Sequence, residues 1–237
     1  SYGDYGDNVW CSLCCIDVCS EERSGKMDNI IYMLFISVFI PIMLMALLVD
    51  KKSRLPITFM LVGIFVSVFA SELNTFLALN LDKDMYGMTT IATPVTEEIL
   101  KMLPILYYAL VISDKKETLF TASMATGIGF AVLENAFYLL NNESFNMVDA
   151  IVRAFGAGLM HGMCTLLVGV GILFVKKKHK LFVVGTFAML STAITYHGIY
   201  NMLVQSEFKV VGCLLPISTY IPFIVWRIKK LLKKKAQ

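Results

Sequence analysis

Thr93-Pro94-Val95-Thr96-Glu97-Glu98-Ile99-Leu100-Lys101 places two adjacent carboxylates and a lysine at the head of an apolar run that continues through Ile112. An ionisable side chain near the middle of a bilayer helix costs about 2.5–3.5 kcal/mol on insertion scales, so three together persist only where something offsets that cost. The stretch therefore reads as a membrane helix that carries a functional site. The rest of the chain supports the membrane half of that reading. Of its 237 residues 57% are hydrophobic and only 16% charged, and the mean hydropathy is +0.69. A soluble domain is closer to half apolar and a quarter charged. The expected fold class is all-α, a polytopic membrane protein with about seven transmembrane helices.

A bilayer span needs about 20 apolar residues. Runs near that length lie at 29–49, 56–80, 94–112, 118–140, 149–175, 181–204 and 209–230, with Pro41, Pro104, Pro216 and Pro222 inside them as expected kinks. Lys51, Lys52, Arg54, Lys115, Lys116, Lys176, Lys177, Lys178, Lys180 and the basic residues from Arg227 to Lys235 fall in the breaks on one side. The other side holds only Arg23, Lys26, Lys83, Arg153 and Lys209. This positive-inside bias places the N-terminus outside and the C-terminus in the cytoplasm, as an odd number of spans requires. The basic C-terminal tail fits an anchor at an anionic leaflet and gives no reason to invoke nucleic acid.

With that orientation, Glu97 and Glu98 lie near the outer mouth of the third run, and Glu134 and Asn135 in the outer third of the fourth. His161 lies in the fifth, and His197 and Asn201 near the outer end of the sixth. Polar groups from four helices at similar depth are expected to line one cavity. Lys101 follows Glu98 by three residues and Glu97 by four, so on a helix it can pair with either; the pair itself diverges by about 100°. One carboxylate can then face the cavity as a desolvated base for activating water while the other holds the lysine. The plainer alternative is a salt bridge at a helix mouth.

Gly127-Ile128-Gly129-Phe130-Ala131-Val132-Leu133-Glu134-Asn135 lacks the strand and lysine of a phosphate loop. Its small residues Ala125 and Gly129 are expected to admit a neighbouring helix closely. His161 sits in a Gly158/Gly162 frame, where an interhelical hydrogen bond is the ordinary role. His197 and Asn201 share a helix face, an imidazole for proton transfer beside an amide able to donate to an oxyanion. Two Glu and two His are also donors zinc accepts. No His-Glu-x-x-His pair marks a metal, so no cofactor is assigned and zinc stays compatible. Glu72 and Arg153 are read as interfacial charges, and His179 as part of a solvated basic break.

Glu97-Glu98-x-x-Lys101, Gly127-x-Gly129-Phe130-Ala131-x-x-Glu134-Asn135, His161 and His197-Gly198-x-Tyr200-Asn201, in this order on successive helices, resemble the PrsW family of bacterial intramembrane proteases, related to the CPBP superfamily of CAAX-type proteases. The resemblance covers about residues 55–205. It implies that one glutamate of the pair activates the hydrolytic water, with Glu134, His161 and His197 as catalytic partners and Asn135 and Asn201 as substrate or oxyanion contacts. Lys101 is the structural ion-pair partner. It implies a multi-pass protein of the bacterial cell membrane that makes the first, extracytoplasmic cut in a single-pass membrane substrate such as an anti-sigma factor. Glu134 stands where CAAX-type enzymes carry histidine, which argues against a prenylated substrate.

Residues 1–27 form the expected extracytoplasmic tail, 28–231 a single transmembrane protease domain and 232–237 a basic cytoplasmic tail. Asp4, Asp7, Asp17, Glu21 and Glu22 do not fit a cleavable signal peptide. Cys11, Cys14, Cys15 and Cys19 are open to metal, disulfide or lipid roles, none of them marked by spacing. Cys164 and Cys213 read as packed thiols. Competing readings are a proton-coupled transporter, which would need polar groups in the inner halves of the helices, and a catalytically silent scaffold, which would be expected to have lost a motif.

Overall fold

The computed structural model describes residues 21–81, 87–141, 147–173 and 179–235. Cys11, Cys14, Cys15 and Cys19 lie outside them. The described residues form α1 (Glu21–Leu48), α2 (Lys51–Asn80), α3 (Thr93–Val111), α4 (Lys116–Asn141), α5 (Met147–Ile172), α6 (His179–Val204) and α7 (Lys209–Lys235), with no strand among them. A π-helical segment, Met88–Ala92, runs directly into α3. Each apolar run of the sequence coincides with one helix, and the inner prolines are accommodated inside helices. The largest boundary difference is α1, which begins at Glu21 and so takes up part of the expected tail.

Four helices among the described residues are long and apolar enough to cross a membrane, over Ser53–Asn80, Lys116–Leu140, Arg153–Ile172 and Lys180–Val204. Leu34–Leu48 and Lys209–Pro222 are shorter apolar stretches. The 19-residue α3 differs for a physical reason: Glu97, Glu98 and Lys101 all fall within it, and all three are fully buried. Its apolar residues Leu103 and Tyr107 are turned outward, as are Phe65, Phe69 and Phe76 on α2 and Val184 and Phe187 on α6. Charge inside and apolar surface outside is the inversion that a lipid environment demands.

At the break between α1 and α2, Asp50 caps α2 by accepting from the Ser53 backbone N–H at 3.1 Å. Its hydrogen bonds with Ser53 hold the Asp50 carboxyl below the usual carboxylate range. Arg54 donates back to the Val49 carbonyl at 3.1 Å, which closes the turn.

α5 is the central helix and packs on α3, α4, α6 and α7, while α4 lies between α5 and α2. The core they share includes Ile105 and Tyr108 of α3, Ala122 of α4, Met160 and Cys164 of α5 and Tyr200 of α6. Two glycines bring α4 to its neighbours. A Cβ on Gly129 would overlap the Met60 carbonyl of α2, and one on Gly127 would lie 2.6 Å from the His161 carbonyl carbon and 2.8 Å from the Gly162 Cα of α5. Close approach through Gly129 agrees with the sequence reading. The Gly158 position of the His161 frame has nothing within 4 Å, so Gly127 supplies the contact there. Gly127→Ala must push α4 from α5, and we expect a loss of about 1–3 kcal/mol, the range for overpacking. The unfolding midpoint of the purified protein in lipid is the check.

Candidate active site

α3 enters the site from an irregular start. The Thr93 N–H bonds the Met88 carbonyl, five residues back, the π spacing often found at functional sites. α6 grips this segment: Asn201 donates its amide to the Thr89 carbonyl at 2.9 Å, and the Thr89 hydroxyl donates to Gln205 at 3.0 Å. Gly198 leaves room for the Thr90 carbonyl, which would sit 2.6 Å from a Cβ there. Asn201 thus ties α6 to the lead-in of α3, so the contact places it beside the site as a fastener.

Beyond that start the polar groups converge. Glu98 Oε1 accepts from Lys101 Nζ at 2.6 Å and from His197 Nδ1 at 2.8 Å. Lys101 Nζ also donates to His161 Nδ1 at 2.8 Å, and lies 4.4 Å from the centroid of the Phe130 ring. His161 Nε2 meets Glu134 Oε2 at 2.7 Å, and the two imidazole rings stand edge to face with centroids 4.9 Å apart. The structure therefore brings Glu97, Glu98, Lys101, Glu134, His161 and His197 into one buried cluster drawn from α3, α4, α5 and α6. Asn135 stands apart from this network, its Oδ1 buried and without a partner. Glu72 is exposed.

The hydrogen bonds assign the imidazole protons. An ammonium can only donate, so His161 Nδ1 is the acceptor and its Nε2–H donates to the Glu134 carboxylate. The Glu98 carboxylate can only accept, so His197 carries its proton on Nδ1 and keeps the Nε2 lone pair. The two histidines are thus held as opposite tautomers, each by its own carboxylate. His197 Nε2 faces Glu97 Oε2 at 3.9 Å, and that oxygen has no hydrogen-bond partner.

The two adjacent glutamates divide as the helix geometry requires. Glu98 is committed to Lys101 and His197. Glu97 is held at Oε1 by Asn74 Nδ2 at 3.4 Å, and Asn74 is in turn oriented by the Thr96 hydroxyl, which leaves Oε2 open. Asn74 of α2 was missed in the sequence; a fully buried amide in an apolar helix was the available signal. Arg153 was misjudged there. It is buried, with Nη2 3.4 Å from Glu134 Oε1, and is no interfacial charge.

The donor set fits a zinc-type ion once Lys101 Nζ releases the His161 Nδ1 lone pair that it meets at 2.8 Å. Glu97, His161 and His197 each offer a ligand atom, all within 4.8 Å of one another. Each imidazole is backed by a carboxylate on its other nitrogen, the arrangement that orients metal-binding histidines. With all three carboxylates ionised, the two cations Lys101 and Arg153 leave the cluster one positive charge short, and Glu97 Oε2 and Glu98 Oε2 are both unpartnered.

A family model described as PrsW family intramembrane metalloprotease matches residues 51–227. The chain belongs to the PrsW family. The match takes in α2 to α6 and most of α7, and with them every residue of the cluster, so this PrsW protein is an intramembrane protease whose site geometry can be read against that activity. No curated protein and no solved structure matches the chain.

Proposed function

We propose that this protein is an intramembrane endopeptidase with seven spans, N-terminus outside, that cuts single-pass membrane proteins near the extracytoplasmic face with glutamate-activated water. The observation that carries this reading is the open, buried Glu97 Oε2 that faces the His197 Nε2 lone pair at 3.9 Å. Glu97 is the general base that takes the proton of the attacking water. A base needs a free lone pair within reach of that water; Glu98 Oε2 is unpartnered too, but the charge of that carboxylate is committed through Oε1 to Lys101 and His197. The proton that Glu97 takes from water is the one the leaving amine receives, and the unprotonated Nε2 of His197, oriented by Glu98, faces the same point and is placed to accept and relay it. Lys101 keeps Glu98 and His161 fixed while charge develops.

Glu97, His161 and His197 would hold a metal ion, which when bound supplies Lewis-acid polarisation of the scissile carbonyl and acidifies water. The remaining roles belong to the chain. The strong positive-inside bias and the positions of Glu97, Glu98, Glu134 and His197, which lie toward the outward ends of their helices in that orientation with His161 near the middle of α5, support the extracytoplasmic side. The family supports a proteolytic reaction, and the resemblance of the sequence motifs extends the reading to an anti-sigma-factor-like single-pass protein of a bacterial membrane as the substrate class.

The experiment is co-expression with candidate single-pass membrane proteins, wild type against Glu97→Gln, with the cut mapped by mass spectrometry. A cut on the extracytoplasmic side that vanishes in the variant is expected. Wild-type cutting on the cytoplasmic side would overturn the orientation, and undiminished cutting by the variant would overturn the role of Glu97.

A further inference from the structure

Arg153 precedes His161 by eight residues on α5, and its guanidinium crosses to α4. Its central carbon lies 3.1 Å from the centroid of the Tyr138 ring, and Nη2 lies 3.4 Å from Glu134 Oε1. Glu134 and Tyr138 are one turn apart on α4, so a carboxylate and an aromatic face form one seat for a planar cation. An ammonium could answer the charge and be drawn to the ring, but could not lie flat on it as a guanidinium does. The two Glu134 oxygens are divided: Oε1 goes to Arg153 and Oε2 to the Nε2–H of His161. Removing Arg153 would leave a buried carboxylate with a neutral imidazole as its remaining contact in the cluster, an arrangement that favours rotation or repairing of that carboxylate.

We propose that Arg153 is a positioning residue for the hydrolytic centre: seated on Tyr138, it holds Glu134 as the acceptor that keeps His161 in its Nε2–H tautomer, with Nδ1 turned to Lys101 and the cluster. Its effect on cleavage rests on the reading of the cluster as the hydrolytic site. Its effect on the His161 tautomer does not, so the two can fail separately.

The test uses the full chain in lipid bilayers, labelled with nitrogen-15 histidine, in the wild type and in Arg153→Met, Arg153→Lys and Tyr138→Leu. The three histidines are His161, His179 and His197, and His179→Gln removes the one outside the site. In the wild type the His161 ring is expected to show a hydrogen-bonded Nε2–H and an unprotonated Nδ1. Arg153→Met should lose that Nε2–H signal or split it between tautomers, Arg153→Lys should keep most of it, and Tyr138→Leu should fall between. On a single-pass protein that the wild type cuts, Arg153→Met should lower kcat by about 10-fold with little change in KM, and should add little to Glu134→Gln, as expected of coupled neighbours. An unchanged His161 tautomer in folded Arg153→Met would overturn the proposal, as would losses that simply add to those of Glu134→Gln. Should Arg153→Met fail to fold, Tyr138→Leu decides, because it keeps the Arg153 charge and removes what Tyr138 gives it, the ring face and the phenol hydrogen bond. A wild-type signal there would count against the proposal. Should no probe be cut, the tautomer measurement decides alone.

Discussion

Glu97→Gln is expected to lower cleavage by about 10²–10⁴-fold, the usual contribution of a general base. The unfolding midpoint should hardly move. The reason lies in how little the folded state asks of this carboxylate: one oxygen accepts a long hydrogen bond from Asn74, which an amide can retain, and the other has no partner. Activity and stability should therefore separate at this position. Metal content measured on the same samples distinguishes the two ways Glu97 can touch the water. Loss of cleavage with metal retained marks a base, and loss of both marks a ligand.

Glu98→Gln is expected to behave in the opposite manner, with a loss of about 3–5 kcal/mol of stability, the cost of breaking a buried ion pair. Lys101 is wholly buried and has Glu98 at 2.6 Å as its counter-charge. Without that carboxylate the ammonium is left against the neutral His161. Cleavage falls too, since His197 loses the acceptor that sets its tautomer. The double variant Glu98→Gln/Lys101→Met should recover much of the stability and none of the activity. Unfolding of the three proteins in the same lipid is the measurement. A double variant no more stable than Glu98→Gln would show that the cost is not that of the stranded lysine.

Much of this architecture was legible before any coordinates. Charges at the head of an apolar run have few explanations in a membrane, and Glu97, Glu98, Glu134, His161 and His197 were found because each interrupts such a run. Periodicity also said that the two glutamates must diverge. It could not say which way, because that depends on Asn74 of α2 and on His197 of α6, which hydropathy cannot bring together. Arg153 looked interfacial for a similar reason. Its position near a helix mouth is visible in sequence, whereas its seat on Tyr138 and Glu134 exists only once α4 and α5 are packed. Asn201 was read as a free donor because nothing in the pattern reveals a π-helical segment whose carbonyl needs a partner.

The glycine crossings described above have a consequence for motion. Where Gly127 and Gly129 bring backbone against backbone, no side chain stands between the helices to change rotamer and make room. α2, α4 and α5 must then travel as a single body, and α6 with them, since a Cβ on Gly171 of α5 would lie 2.7 Å from the Thr186 Cα and 2.8 Å from the Gly185 carbonyl oxygen of α6; Asn74, Glu134, His161 and His197 travel together. Any opening that lets an unwound peptide reach Glu97 is consequently borne by α3, which carries Glu97 and Glu98. Around Met88–Ala92 its lead-in is held to α6 by the close approach of the Thr90 carbonyl to Gly198 and by the side-chain bonds of Asn201 and Thr89. The catalytic groups are thereby split between a fixed wall and a movable door.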